Sequence, residues 1–386
     1  MSRKYKNIET KLIKSGEPEP KILGAVSMPI FQSSTFEYGG EDNYHDVRYI
    51  RLNNTPSHDA LHKKLAAIEN AEAAIAASSG MAAMTTALLA FLVKGDHVLA
   101  QDNLYGGVHE FISKDLPQFG IEYDFIDASK PDEWKSKLKR NTKVIYIETI
   151  SNPLMKVGDL NAVPKFAKEH KLISMIDNTF ASPVNFRPIE HGFDLSLHSC
   201  TKYLNGHTDL VAGAAIGSTE YVDRVRMKLN HLGGTLDPHT CYLLQRGMKT
   251  LSLRMRYQNQ SALRIAEFFE AQPGIEKVNY PGLKSSPSYK FASELFEGFS
   301  GMMSIELDGG ERAADRFIEL LEIPINAPSL GGVETLITKP SVTSHAGLSP
   351  SDRRKVGISD SLIRLSVGIE HTDDLLEDFA QALSKL

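Results

Sequence analysis

The sequence predicts an α/β fold, and three observations lead there. At 386 residues the chain suggests two or three domains and can bury a sizeable core. Short runs rich in Ile, Val or Leu, at His97 to Ala100, Lys143 to Glu148, Leu172 to Asp177 and Asp194 to Ser199, are separated by helix-length or loop sequence, which is the pattern of βαβ units. Two of them, Val144-Ile-Tyr-Ile147 and Ile173-Ser-Met-Ile176, are continuously apolar or nearly so. That suits strands of a parallel sheet covered on both faces, where half-exposed strands would alternate.

In chain order, residues 1–49 contain Glu17-Pro-Glu-Pro20 and Gly39-Gly40 and little periodicity, and are expected to form an extended arm lying on something else. From Asp59, the spacing of Leu61, Leu65 and Ile68 predicts a helix ending near Asn70. Residues 50–245 then carry the βαβ pattern. Near Arg246 the style changes: Leu251 to Glu270 is an amphipathic helix, Met302 to Leu307 a strand, Ala313 to Glu322 a helix and Leu362 to Val367 a strand. The last helix has Leu375, Leu376, Phe379, Leu383 and Leu386 on one face, with Thr372 as its expected cap. Residues 246–386 are therefore expected to form a second, smaller domain of α+β type.

Composition excludes several classes of partner. The 41% hydrophobic and 24% charged fractions are those of a soluble globular protein, so disorder and collagen-like repeats are out. A net charge of −5 gives no positive field for nucleic acid or an anionic membrane, which favours a small-molecule partner. Ala73 to Val93 is uncharged for 21 residues, nominally enough to cross a bilayer. Ser78, Ser79, Gly80, Thr85 and Thr86 interrupt it and eight alanines dilute it, so burial inside protein is expected. The amino terminus runs straight into polar sequence without an apolar signal core. With Cys200 and Cys241 alone, neither a disulfide framework nor a multi-cysteine metal site can be built, and no metal is expected. A cytoplasmic location fits these features.

Ligands of open α/β sheets collect beyond the carboxyl ends of the strands. There the sequence is polar: Glu148-Thr-Ile-Ser-Asn-Pro153, Asp177-Asn-Thr179 and Ser199-Cys-Thr-Lys-Tyr203. Lys202 lies between a strand end and the Gly206-His-Thr-Asp209 loop, in otherwise small or apolar sequence. Desolvation there would lower its pKa and prepare it to form a Schiff base. Ala77-Ser-Ser-Gly80 opens into a helix from Met81, and free N–H groups at a helix start favour a phosphate. Ser199 and Thr201 add hydroxyl donors. A lysine, a carboxylate and a phosphate cradle are what pyridoxal 5′-phosphate requires.

With Ser33-Ser-Thr-Phe36, Tyr105-Gly-Gly107, Asp177-Asn-Thr-Phe180, Ser199-Cys-Thr-Lys-Tyr203, Arg246-Gly-Met-Lys-Thr-Leu251, Ser329-Leu-Gly-Gly332 and Ile363-Arg-Leu-Ser-Val-Gly368 in this order, the chain resembles the pyridoxal-phosphate enzymes of Cys/Met metabolism. These are the cystathionine lyases and synthases, methionine γ-lyase and the homoserine sulfhydrylases. The resemblance implies a fold-type I PLP-dependent transferase architecture, with a large domain holding a mainly parallel seven-stranded sheet between helices. It implies a homotetramer built from dimers with shared active sites. Lys202 would carry the cofactor and shuttle protons, Asp177 would hold the pyridine nitrogen, and Tyr105 would stack on the ring. Gly80, Met81, Ser199 and Thr201 would bind the phosphate, and Tyr49 and Arg51 would reach it from a neighbouring subunit. Arg364 and Asn152 would clamp the substrate carboxylate, and Glu334 and Thr335 would lie near the substrate. A buried arginine without an anion is costly, so the sequence itself favours the role of Arg364.

Two positions bear on the reaction. Glu334 matches an acid found in γ-acting relatives and tips the expectation toward γ-elimination of L-cystathionine. Glu110, five residues after Tyr105, matches the acid of β-lyases and could attract a distal ammonium. Gly107 stands where methionine γ-lyases use a cysteine, which argues against that activity. A γ-synthase or O-acyl-homoserine sulfhydrylase is the nearest alternative and a catalytically silent relative a remote one. The Leu52-Asn-Asn-Thr-Pro-Ser-His58 stretch departs from the family by an apparent extra residue, and His58 reads as a surface or interface histidine. Nucleotide-binding G-x-G-x-x-G and P-loop motifs are absent from the sequence, which argues against a dehydrogenase or kinase.

Overall fold

The computed structural model describes residues 5–347 and 349–386. Seven strands, β1 (Ala73–Ala77), β2 (His97–Gln101), β3 (Glu122–Ile126), β4 (Thr142–Glu148), β5 (Ile173–Asp177), β6 (Leu195–Ser199) and β7 (Gly213–Gly217), form one sheet in the order β1-β7-β6-β5-β4-β2-β3. The β3-β2-β4-β5-β6 run is parallel and β7 is antiparallel to both of its neighbours. Both faces are covered. Ile145, Ile147 and Ile176 pack with Leu61 and Leu65 on one side, and Val144, Tyr146 and Met175 with Ala83 and Leu88 on the other. That double burial is why β4 and β5 read as continuous apolar runs.

The uncharged stretch at 73–93 divides into three pieces: β1, a turn, and the helix Gly80–Phe91, whose N-cap Ser79 accepts from the Ala82 N–H at 2.9 Å. Among the described residues, no helix is long and apolar enough to cross a membrane. Strands β3 and β7 escape the sequence reading for opposite reasons. The first is an edge strand with a half-buried, polar-rich pattern, and the second is Gly-Ala-Ala-Ile-Gly, too small in its side chains to stand out.

A second sheet contains β8 (Ile275–Asn279), β9 (Met302–Leu307), β10 (Ile325–Asn326), β11 (Leu336–Thr338) and β12 (Leu362–Ser366) in the order β10-β11-β12-β9-β8. All its pairs are antiparallel except β10 with β11. Helices Leu251–Glu270, Gly310–Leu320 and Thr372–Leu383 close one core with it through Phe269, Phe317 and Phe379. Thr372 is not the cap of the last helix. His371 takes that position, and the Thr372 hydroxyl pairs with Ser261 Oγ at 2.7 Å.

The amino-terminal arm is only partly extended. Helix Ile8–Lys14 buries Ile8 and Leu12 in the main core. Gly16 then passes so close to the helix Pro56–Ile68 that a Cβ would lie 2.0 Å from the Ala60 carbonyl oxygen, and its φ is +78°. A side chain is excluded there on both counts. Further on, Leu23, Val26, Tyr38 and Tyr44 are exposed. His58 is a correction: it is fully buried, with its ring nitrogens 2.8 Å from Thr55 Oγ1 and 2.7 Å from the Leu236 carbonyl oxygen.

Candidate active site

Because β4, β5 and β6 run parallel and adjacent, they deliver Glu148, Asp177 and Ser199 to the same edge of the sheet. The register pairs Glu148 with Asp177 directly. These residues line a cavity of about 590 Å³ together with Ser79, Gly80, Met81, Tyr105, Asn152, Thr201, Lys202, Ser329 and Arg364. The last two come from the second sheet and the loop beside it.

Lys202 follows β6 through a tight turn closed by the Gly206 N–H on the Lys202 carbonyl at 2.8 Å. Its Nζ donates to Ser329 Oγ at 2.7 Å. Burial, with a smaller push from the Arg364 charge, lowers its pKa to about 8. Ser329 holds this position at φ +88°, a left-handed conformation uncommon for a serine. Its motif is visible in the sequence, but its grip on Lys202 spans 127 residues and left no local signal.

Asp177 is buried and its Oδ1 accepts from the Thr179 N–H at 2.9 Å and from the Thr179 hydroxyl. The same hydroxyl accepts from the Ser199 N–H at 2.8 Å, so Thr179 locks β5 to β6 beneath the cavity. Among the described residues nothing donates to Asp177 Oδ2. Burial raises its pKa, opposed by the Thr179 bonds and by His198.

Arg364 sits in the middle of β12 and is buried, with its Nη1 donating to Asn152 Oδ1 at 3.1 Å and its Nη2 to the Ser329 carbonyl at 3.0 Å. No carboxylate pairs with it among the described residues. Burial lowers its pKa to about 10. Such a guanidinium, facing a cavity and short of an anion, is chemically suited to receive a carboxylate.

The phosphate cradle can be tested on its steric and hydrogen-bonding detail. Among the described residues, no acceptor meets the N–H groups of Gly80 and Met81 at the start of the helix, and Ser199 Oγ has no partner. A Cβ on Gly80 would lie 2.7 Å from Ser199 Cβ, and one on Gly213 would lie 2.1 Å from the Ser79 carbonyl oxygen. The glycines let three segments converge on one point with donors facing it. Thr201 is committed differently, with its hydroxyl exchanging bonds with the Ala212 backbone at 3.2 and 3.0 Å. Donors for a phosphate, an acceptor oxygen for a pyridinium and a partly desolvated lysine fit pyridoxal phosphate.

Not every expected residue is brought here. Glu334 lies outside the cavity lining and its Oε2 accepts from Thr208 Oγ1 at 2.9 Å. Thr335 is fully buried away from the cavity, donating to Glu370 Oε2 at 2.6 Å and accepting from the Gly368 N–H at 2.9 Å. Its hydroxyl is spent on the fold and cannot reach a substrate. Glu110 lines a separate cavity of about 150 Å³ that adjoins the first at Thr343 and Ser344, and it pairs with Lys114 at 2.6 Å. Tyr49 and Arg51 are absent from the lining, and Arg51 bonds the Asn230 carbonyl at 3.0 Å and the Tyr44 hydroxyl. Among the described residues, then, Arg51 does not bring its cation to the expected phosphate cradle of its own chain.

Comparison with known proteins agrees with this geometry. The family described as Cys/Met metabolism PLP-dependent enzyme matches residues 9–384. The cystathionine beta-lyase of Lactococcus lactis subsp. cremoris (strain MG1363) is 43% identical over 380 residues, covering 98% of this chain and 99% of that one. The cystathionine gamma-lyase of Bacillus subtilis (strain 168) is 40% identical over 379 residues, with 98% and 99% covered. The crystal structure of cystathionine gamma-lyase from Lactobacillus plantarum complexed with L-serine superposes with a TM-score of 0.93 at 35% identity, over 98% of this chain and 99% of that one. With the match extending over nearly its whole length and the site built to suit the cofactor, this chain belongs to the PLP-dependent enzyme family of Cys/Met metabolism.

Proposed function

We propose that the protein is a carbon–sulfur lyase that cleaves L-cystathionine by elimination. The observation that carries this reading is Arg364, a buried cation without an acid partner, held by Asn152 in the same cavity as Lys202. It would take the α-carboxylate of an amino acid and so place the substrate Cα beside the lysine. Bound pyridoxal phosphate supplies the sink for the electron pair left when the Cα–H bond breaks. Lys202 Nζ removes that proton, which its lowered pKa and its bond to Ser329 Oγ allow near neutral pH. Asp177 would hold the protonated pyridine nitrogen, and Tyr105 would stack on the ring. The C–S bond then breaks with its electrons on sulfur, and hydrolysis of the released enamine gives ammonia and a 2-oxo acid.

Which bond breaks is favoured by where the acids lie. With its carboxylate taken by Thr208, Glu334 lends γ-elimination less weight than its sequence position suggested. Glu110 lines the adjoining cavity, where an acid suits the distal ammonium of cystathionine, and this favours β-elimination. A relative named beta-lyase at 43% identity supports the same choice, and one named gamma-lyase at 40% keeps γ-elimination as the second reading. Purified protein supplied with L-cystathionine decides: pyruvate supports β-elimination, 2-oxobutyrate γ-elimination. Turnover only of an acylated homoserine with cysteine would replace both with a synthase.

The same reading includes a cytoplasmic homotetramer of dimers with shared sites. Its support is the exposed apolar arm and the position of Tyr49 and Arg51 outside the chain's own cavity. The arm at 1–49, a cofactor-binding unit at 50–245 and a smaller unit at 246–386 go with it.

A further inference from the structure

Glu148 is a buried carboxylate in the cavity wall to which the steps above give no work. It ends β4 and is 4% exposed, and its Oε1 accepts from the Tyr105 N–H at 2.6 Å across 43 residues. Its own N–H donates to Gln101 Oε1 at 3.0 Å, which anchors the strand end to β2. Four residues on, at the end of the loop that Glu148 opens, Asn152 lines the same cavity and gives its side chain to Arg364. A strand-end acid that merely satisfied loop amides could meet any of them. Here the amide belongs to the residue expected over the cofactor ring, and the loop that Glu148 opens carries the residue that holds the carboxylate receptor.

We propose that Glu148 is a positioning residue, tying the Tyr105 turn to the Asn152 loop so that the ring-stacking face and the carboxylate clamp are set by one side chain. Burying a carboxylate is costly, and both burial and the nearby Asp177 charge push its pKa well above the usual range. The Tyr105 N–H, 2.6 Å from Oε1, offsets part of that cost and so holds the acid to this turn. The surroundings agree. Gly106 lies so close to the Thr343–Ser344 segment that a Cβ would be 2.1 Å from the Ser344 carbonyl oxygen, and Gly107 has Tyr105 Cε1 at 2.9 Å from its own Cβ position. The turn therefore has no room to find a second arrangement by small shifts.

The proposal rests on the cofactor and clamp assignments made above, and the test separates its failure from theirs. In E148Q the carboxyl that accepts from the Tyr105 N–H becomes an amide of the same shape, with an NH2 group in place of one oxygen. The holoenzyme and the variant are compared by visible circular dichroism of the bound cofactor and by spectral titration with glycine, which has an α-carboxylate but no leaving group. Expected are a cofactor band of altered amplitude and a glycine Kd raised about tenfold, the effect of weakening one hydrogen bond by about 1.4 kcal/mol. A Glu148 that only held the fold together would lower the melting temperature and leave both readouts of the folded enzyme in place. If either stays within about twofold of wild type, the positioning role is wrong. If the wild type itself gives no spectral response to glycine, the clamp assignment fails instead. Should E148Q not fold, E148D, which keeps the carboxyl group and draws it back by one methylene, serves the same comparison.

Discussion

At the scale of single residues, the site is a set of groups placed where water cannot settle their charges. Lys202 shows the consequence most directly. An unfolded lysine holds its proton to about pH 10.5, whereas the folded site releases it near 8. Between these values the unfolded chain binds more protons, so the stability of the cofactor-free protein rises with pH across that window. Replacing Lys202 with Met removes the penalty. Chemical denaturation of the apoproteins should find K202M more stable than wild type below pH 8, with the gap shrinking by about 3 kcal/mol as pH passes 10.5. A gap that widened instead would mean the ammonium is stabilised where it sits. Lys202, Asp177 and Arg364 were legible in the sequence because each is a charged residue at the end of an apolar run or inside one. Ser329 was visible only as part of a motif, and Glu148 only as a strand-end acid that supports the site through hydrogen bonds or serves the fold, because their partners, Lys202 and the Tyr105 amide, lie far along the chain.

At the scale of elements, the helix Gly80–Phe91 carries two separable functions within two residues. Ser79 caps it through the Ala82 N–H, and Gly80 makes room for Ser199. S79A should therefore lower stability by about 1 kcal/mol, read by denaturant titration, and change cofactor affinity little. G80A should raise the cofactor Kd by at least about tenfold, read by absorbance after dialysis, because Ser199 must give way and takes its hydroxyl from the cradle. The reverse pattern would mean that the helix start is structural and not an anion site. Strand β12 makes a related point. Its Arg364 lies in register with Ser304 of β9 and Thr338 of β11, so the second sheet, whose strands run antiparallel, is what delivers the clamp to the end of the first. No periodicity in residues 362–366 specifies that meeting.

At the scale of the whole molecule, the incomplete cradle and the exposed arm are one observation seen twice. The cavity contains the lysine, and the Tyr49–Arg51 pair that would complete the phosphate site stands elsewhere on the same chain. If the pair serves a second copy, an R51A protein and a K202A protein, each inactive alone, should regain activity when refolded together, since some mixed sites then have both an intact lysine and an intact arginine. Activity that never exceeds the two parents would place Arg51 outside the site. The fold class, the cofactor and the residues at the strand ends were determined by the sequence alone, because burial on both faces, a helix start rich in small residues and a desolvated lysine are local properties that composition and spacing express. The tertiary structure alone decided that Thr335 and Thr372 are spent on the fold, that Glu334 answers to Thr208, and that His58 lies in the interior. In each case a polar side chain chose between solvent, substrate and a buried partner. That choice depends on which distant segment arrives beside it, and the spacing of its neighbours does not encode that arrival.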